Sequence, residues 1–164
     1  MCSGASPNPY VQKNSVQQDI IFMKLAIEEA GFAFSAGEVP VGAVLVVDGR
    51  VVTSAHNLRE KCNDPSAHAE LIALREGGRL MAGWRLNDAT LYVTKEPCIM
   101  CAGAMVNARL GRLVYGCCDV KGGAAESLYN ILADSRLNHQ VEVMSGILEA
   151  ECADLLKKFF RERR

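Results

Sequence analysis

Residues 89–116 read ATLYVTKEPCIMCAGAMVNARLGRLVYG. The run ATLYVTKEP is rich in β-branched and aromatic residues and reads as a strand. Pro97 favours an extended approach followed by a sharp helix start. CIMCAGAMVNARL then reads as a short helix, with Gly111 placed to cap its end. RLVYGCC is a strand again. A strand, a helix and a second strand in immediate succession form a crossover, and crossovers make parallel neighbours.

The flanks extend this pattern. From Ser15 to about Ser35 the apolar residues Ile20, Met23, Ile27, Ala30 and Phe34 recur at helical spacing. VGAVLVVDGRVVTSAHN is two strands joined at Asp48-Gly49, a strong hairpin signal. REKCNDPSAHAE is a loop, and a helix runs from about Ala67 to Met81. Beyond RLVYGCC, GGAAESLYNILAD is expected as a loop leading into a short helix, and HQVEVMSGI as the last strand. LEAECADLLKKFFRERR closes the chain as a helix whose early acids and late bases complement its dipole. Five strands with helices on both faces imply an α/β fold, a three-layer α/β/α sandwich around a five-stranded mixed sheet.

The chain has 164 residues, which suits one domain, expected over 15–164. Residues 1–14 read as a disordered lead-in without the apolar core of a secretory signal. Hydrophobic residues make up 49% and charged residues 23%, an ordinary globular balance. The net charge of -1 gives no global basic signature, so any nucleic-acid contact must rest on a local patch. No apolar run reaches a membrane span, and a cytoplasmic location is expected. Seven cysteines, an odd number without an export signal, argue against a disulfide framework.

Cys98 and Cys101 share the first turn of a helix, where N–H groups and the dipole stabilise thiolates. Alone, this CxxC fits a metal site or a redox pair equally. His68, in DPSAHAE, opens the preceding helix, and both helices start on the same sheet edge. His68, Cys98 and Cys101 can therefore converge. Three protein ligands leave one tetrahedral position open, the mark of a catalytic zinc site. Glu70, two residues after His68, can reach the open position without ligating.

HAE at 68–70 with PCIMC at 97–101 resembles the zinc-dependent nucleobase deaminases. EVPVGAVLV, NDPSAHAEL, ALREGG, ATLYVTKEPCIMCAGAM, RLVYG, DVKGGAAESL and FFRERR are similar to the bacterial tRNA-specific adenosine deaminases, from about Ile20 to the C-terminus. The resemblance implies a cytidine deaminase-like fold, one Zn2+ per subunit and no organic cofactor. It implies hydrolytic conversion of adenosine to inosine at the wobble position of a tRNA anticodon, with release of ammonia. The expected substrate is tRNA-Arg(ACG), bound through its anticodon stem-loop, and the expected assembly is a homodimer. Glu70 is the implied proton shuttle.

The resemblance also assigns Asn57 to the purine edge, and backbone groups of Ala69 and Glu96 to the base. Asp119 and Lys121 fall where the family touches flanking nucleotides, although a polar turn would read the same. Lys95 departs from the apolar residue expected there. The tail KKFFRERR carries five basic residues and one acid. It reads as a dipole-complementing helix end anchored by Phe159, or as an RNA contact through Phe160 and Arg161. His56 and His139 are expected in structural roles, and Cys117, Cys118 and Cys152 in the core. Two rivals share these features: a deaminase of free bases or nucleotides, and a non-catalytic zinc-organised RNA-binding subunit. The second would not need Glu70, and a dithiol redox protein would leave both His68 and Glu70 unexplained.

Overall fold

A computed structural model describes residues 15–163, so the expected lead-in over 1–14 lies outside the described residues. The order is α1 (Val16–Ser35), β1 (Gly42–Val47), β2 (Arg50–His56), α2 (Arg59–Cys62), α3 (Ala69–Leu80), β3 (Ala89–Lys95), α4 (Ile99–Asn107), β4 (Arg112–Cys117), β5 (Glu142–Met144) and α5 (Glu149–Glu162). The strands form one mixed sheet in the order β2-β1-β3-β4-β5. β1 pairs antiparallel with both β2 and β3, whereas β3–β4 and β4–β5 are parallel. Four strands thus share one direction, with β1 reversed among them.

The hairpin forms at the expected dipeptide. Asp48 and Gly49 both have positive φ, 50° and 71°, the backbone of a tight turn whose twist matches that of the strands. Alternation along the strands then builds two cores. Val44, Val46, Tyr92 and Val114 face Met23 and Ala26 of α1 and Cys152 of α5. Ala43, Leu45, Leu91, Val93, Leu113 and Tyr115 face Ala69 and Ala73 of α3 and Ala102 and Met105 of α4. The result is the three-layer α/β/α sandwich.

Four local expectations are corrected. No helix forms in 122–134, because the N–H groups of Ala125, Glu126 and Ser127 go to the Glu96 carboxylate and not to carbonyls one turn back. A four-residue helix, α2, forms instead in the stretch expected as loop. β5 is three residues long, and Gly146 at φ 83° turns the chain away soon after it. Gly111 does not cap α4. Arg109 takes the left-handed position (φ 56°), with Leu110 N–H donating to Met105 O at 3.0 Å and Arg109 N–H to Val106 O at 3.1 Å. Gly111 is required for another reason: a Cβ there would lie 2.0 Å from the Asn87 carbonyl oxygen.

Of the cysteines, Cys117 and Cys152 are buried as expected, but Cys118 is exposed because it follows the last strand position of β4. His56 pairs with Glu29 at 2.7 Å and His139 bonds the Leu110 carbonyl at 2.7 Å, both structural contacts. Among the described residues no helix is long and apolar enough to cross a membrane.

One buried ion pair joins α1 to the sheet. Arg112 donates to both carboxylate oxygens of Asp19, at 2.7 and 2.9 Å, and the Tyr92 hydroxyl donates to Asp19 at 2.8 Å. Removing the carboxylate strands a guanidinium with little solvent around it. Asp19→Ala is therefore expected to destabilise the fold by about 3 kcal/mol, measured by urea unfolding.

Candidate active site

Both turns that carry the expected metal ligands begin helices. His68 is the N-cap residue of α3 and Cys98 that of α4, each with extended backbone (φ −78°, ψ 147° and φ −74°, ψ 175°). The approach to α3 is fixed by Asp64, whose carboxylate accepts from the N–H and hydroxyl of Ser66 at 2.8 and 2.7 Å. The approach to α4 is fixed by Pro97, whose carbonyl accepts the Ala124 N–H at 2.8 Å. Both helices start beyond the C-terminal ends of co-directional strands, β2 and β3.

His68 Nδ1, Cys98 Sγ and Cys101 Sγ lie within 4.8 Å of one another. The nitrogen is 3.7 Å from the Cys98 sulfur and 3.5 Å from the Cys101 sulfur. A tetrahedral ion about 2.3 Å from sulfur and about 2.1 Å from imidazole nitrogen requires S···N edges of about 3.6 Å. The triangle therefore fits a zinc-sized cation. The donor set, borderline-soft sulfur with imidazole, suits zinc as well.

The electrostatics agree with a site built for charge. The Cys98 thiol is lowered to about 3, first by the hydrogen bond from Cys101 and then, against burial, by His68. Cys101, which donates that bond, is pushed up by it, by burial and by the nearby Glu70. His68 is raised, first by its hydrogen bond to Cys98. Glu70, only 4% exposed, is raised by burial, opposed by its own N–H and by a hydrogen bond from Cys101. A carboxyl adjoining one ligand sulfur, with a raised proton affinity, suits proton transfer.

A cleft of about 250 Å³ opens above the trio. It brings together Asn57, His68, Ala69, Glu70, Lys95, Glu96, Cys98 and Phe160 among its lining residues. Asn57 is buried, and its amide donates to Glu38 at 3.4 Å. Phe160 is 52% exposed and stacks edge-on against the buried Phe159, which packs edge-on against Phe34. Asp119 forms an ion pair with Lys95 at 2.5 Å, and Lys121 is exposed beside it. Neither Asp119 nor Lys121 lines the cleft, and Arg161 is exposed beyond it.

A family model described as MafB19-like deaminase matches residues 16–164. The chain belongs to that deaminase family.

Within the family it is similar to the bacterial tRNA-specific adenosine deaminases. That of Bacillus subtilis is 52% identical, covering 90% of this chain and 91% of the relative. That of Haemophilus influenzae is 48% identical, covering 87% and 83%. A solved structure from studies of A-to-I editing by tRNA:A34 deaminases superposes with a TM-score of 0.80 at 46% identity, covering 83% of this chain and 99% of that one.

Sequence reasoning missed two carboxylates of this deaminase. Glu38 is buried and accepts the N–H groups of Glu60 and Lys61 at 3.2 and 2.8 Å, as well as the Asn57 amide. It thereby holds α2 and orients Asn57. Glu96 contributes more than backbone: its carboxylate accepts four N–H groups and the Ser127 hydroxyl. Burial alone would raise it, but Ser127 and the N–H groups of Asp119, Ser127 and Glu126 hold it below the usual range. Neither role is visible locally, because the partners lie nineteen or more residues away. The departure at Lys95 also finds its reason in the ion pair with Asp119. Arg59, at the start of α2, is a further lining residue that the sequence did not single out.

The trio yields a direct expectation. The purified deaminase carries about one zinc per chain, and Cys101→Ser or His68→Ala reduces this severalfold or more, as measured by elemental analysis after dialysis.

Proposed function

We propose that this chain is a zinc-dependent tRNA adenosine(34) deaminase. It hydrolyses adenosine to inosine at the first anticodon position, most directly in tRNA-Arg(ACG), and releases ammonia. The observation that carries the reading is the buried Glu70 carboxyl beside a His-Cys-Cys triangle of zinc dimensions, at the floor of a nucleobase-sized cleft. Similarity to tRNA-specific adenosine deaminases and to a tRNA:A34 deaminase structure supports the substrate class. We take residues 15–164 as a single deaminase domain acting in the cytoplasm.

His68, Cys98 and Cys101 would hold the ion. When bound there, zinc supplies a Lewis acid that makes water a nucleophile at neutral pH. The chain's own residues do the rest. The target adenosine leaves the loop stack and enters the cleft, which has no room for stacked neighbours. Asn57, held by Glu38, meets the purine edge, and backbone groups of Ala69 and Glu96 flank the base. Glu70 removes one proton from the attacking water and delivers it to N1, then carries the remaining proton of the new C6 hydroxyl to the departing amine. Its burial keeps the proton affinity high enough for both halves of that exchange.

Phe160 at the cleft offers a stacking surface to a flanking base. Outside the cleft lining, Arg161 and Lys121 contact phosphates and Asp119 a neighbouring nucleotide. The phenylalanine is held in place from below by Phe159, over whose ring the Arg163 guanidinium lies at 4.1 Å. A homodimer is favoured by an apolar groove of about 610 Å³ on the outer face of α3 and α4, lined by Leu71, Leu74, Gly78, Trp84 and Ala104 among others.

Incubating the protein with an ACG anticodon stem-loop is expected to give inosine at the first anticodon position. Deamination of free nucleosides with the RNA untouched would overturn the substrate assignment. Glu70→Ala is expected to keep zinc and RNA binding while lowering kcat by roughly 10²–10⁴-fold. Undiminished ammonia release from that variant would remove Glu70 from its role.

A further inference from the structure

Glu96 immediately precedes the Pro97-Cys98 turn, and its carboxylate bonds donors of residues 119–127. The side chain is 2% exposed. It accepts the N–H groups of Asp119 at 2.9 Å, Ala125 at 3.2 Å, Glu126 at 2.8 Å and Ser127 at 2.8 Å, together with the Ser127 hydroxyl. Five donors saturate a carboxylate that offers roughly four lone-pair sites. The loop is shaped around it: a Cβ at Gly123 would lie 2.3 Å from the carboxylate carbon. Backbone contacts reinforce the seam, with Ala124 bonded to Pro97 and Gly123 bridged to Cys98.

This seam ends at the residues assigned to flanking nucleotides. The Asp119 N–H is one of the five donors. The Asp119 side chain in turn pairs with Lys95 at 2.5 Å and accepts the Lys121 N–H at 3.1 Å. None of the five donors belongs to His68, Glu70, Cys98 or Cys101.

We propose that Glu96 is a positioning residue for RNA: its carboxylate latches loop 119–127, and with it Asp119 and Lys121, at a fixed distance from the metal-ligating turn. The proposal rests on the tRNA reading of the site. The latch acts on where the loop meets the RNA backbone and not on the proton transfers, so its loss separates KM from kcat. An amide in place of the carboxylate turns two proton donors toward groups that are themselves donors, and the loop must lift.

The test compares the parent enzyme with Glu96→Gln and with the milder Ser127→Ala, which removes one donor only. Three quantities are measured: steady-state deamination of the ACG stem-loop, zinc content, and amide hydrogen exchange across 119–127. For Glu96→Gln, KM is expected to rise about tenfold or more while kcat stays within about threefold. Zinc content is retained, and exchange accelerates only in that loop. Ser127→Ala shifts in the same direction by less, and decides the matter if the glutamine variant fails to fold. An unshifted KM, a fall in kcat at constant KM, or unchanged exchange would overturn the proposal. A parent enzyme inert on the stem-loop would instead overturn the substrate reading, and the RNA role with it, leaving exchange to report whether the latch exists.

Discussion

The constraint on which the site depends is the meeting of two helix N-termini over one edge of the sheet. β2 and β3 run in the same direction with β1 reversed between them, so each delivers the chain to the same edge. α3 and α4 both start there, with His68 and Cys98 as their cap residues. Helix starts supply unpaired N–H groups and a positive dipole end. Thiolates gain from that field, and a cation then needs them to offset it. Without the antiparallel β1 the two helices could not be spaced this way over a single face.

Placing ligands at helix starts leaves the loops beyond the strands to be organised separately. The chain does so with buried glutamate side chains. Glu38 gathers the N–H groups at the start of α2, and Glu96 gathers those of loop 119–127. Glu38 partners N–H groups that a helix start leaves without intrahelical acceptors, and Glu96 gives an irregular loop the acceptors that a helix would otherwise have provided. Among the described residues no buried side-chain nitrogen or oxygen lacks a partner, which reflects the same economy. The loops bordering the cleft are therefore held from inside the protein, and their outer surfaces stay free for contact with a large substrate.

What the sequence made legible was what is local. The hairpin lies in the Asp48-Gly49 dipeptide, the strand faces in alternation, and the ligand trio in two short motifs at helix starts. What it hid depends on distant partners. GGAAESLYNILAD has helix-forming composition, yet its N–H groups are claimed by Glu96, so it stays irregular. Gly111 looked like a cap because it follows a helix, but its close approach is to Asn87, on the far side of α4 in sequence. Lys95 looked out of place until Asp119 was opposite it. Cys118 follows Cys117, and one residue beyond the strand is enough to change core to solvent.

Glu70 and Glu96 line the cleft and Glu38 bonds Asn57 beside them; all three are nearly inaccessible, and Glu70 alone has surroundings that suit proton transfer. Glu38 accepts two backbone N–H groups and Glu96 four, and protonating Glu96 would place a hydrogen against donors already in position. The Glu96 carboxyl is accordingly held below its usual range by the Ser127 hydroxyl and the N–H groups of Asp119, Ser127 and Glu126. Glu70 has no such ring of donors. Its hydrogen-bond support is its own N–H and the Cys101 thiol, and burial outweighs both, so its proton affinity rises. A carboxyl that is dry, weakly satisfied and adjacent to a ligand sulfur can exist in either protonation state at modest cost. The fold satisfies the other two carboxylates with backbone donors and gives Glu70 burial instead, which is the environment the proposed proton shuttle requires.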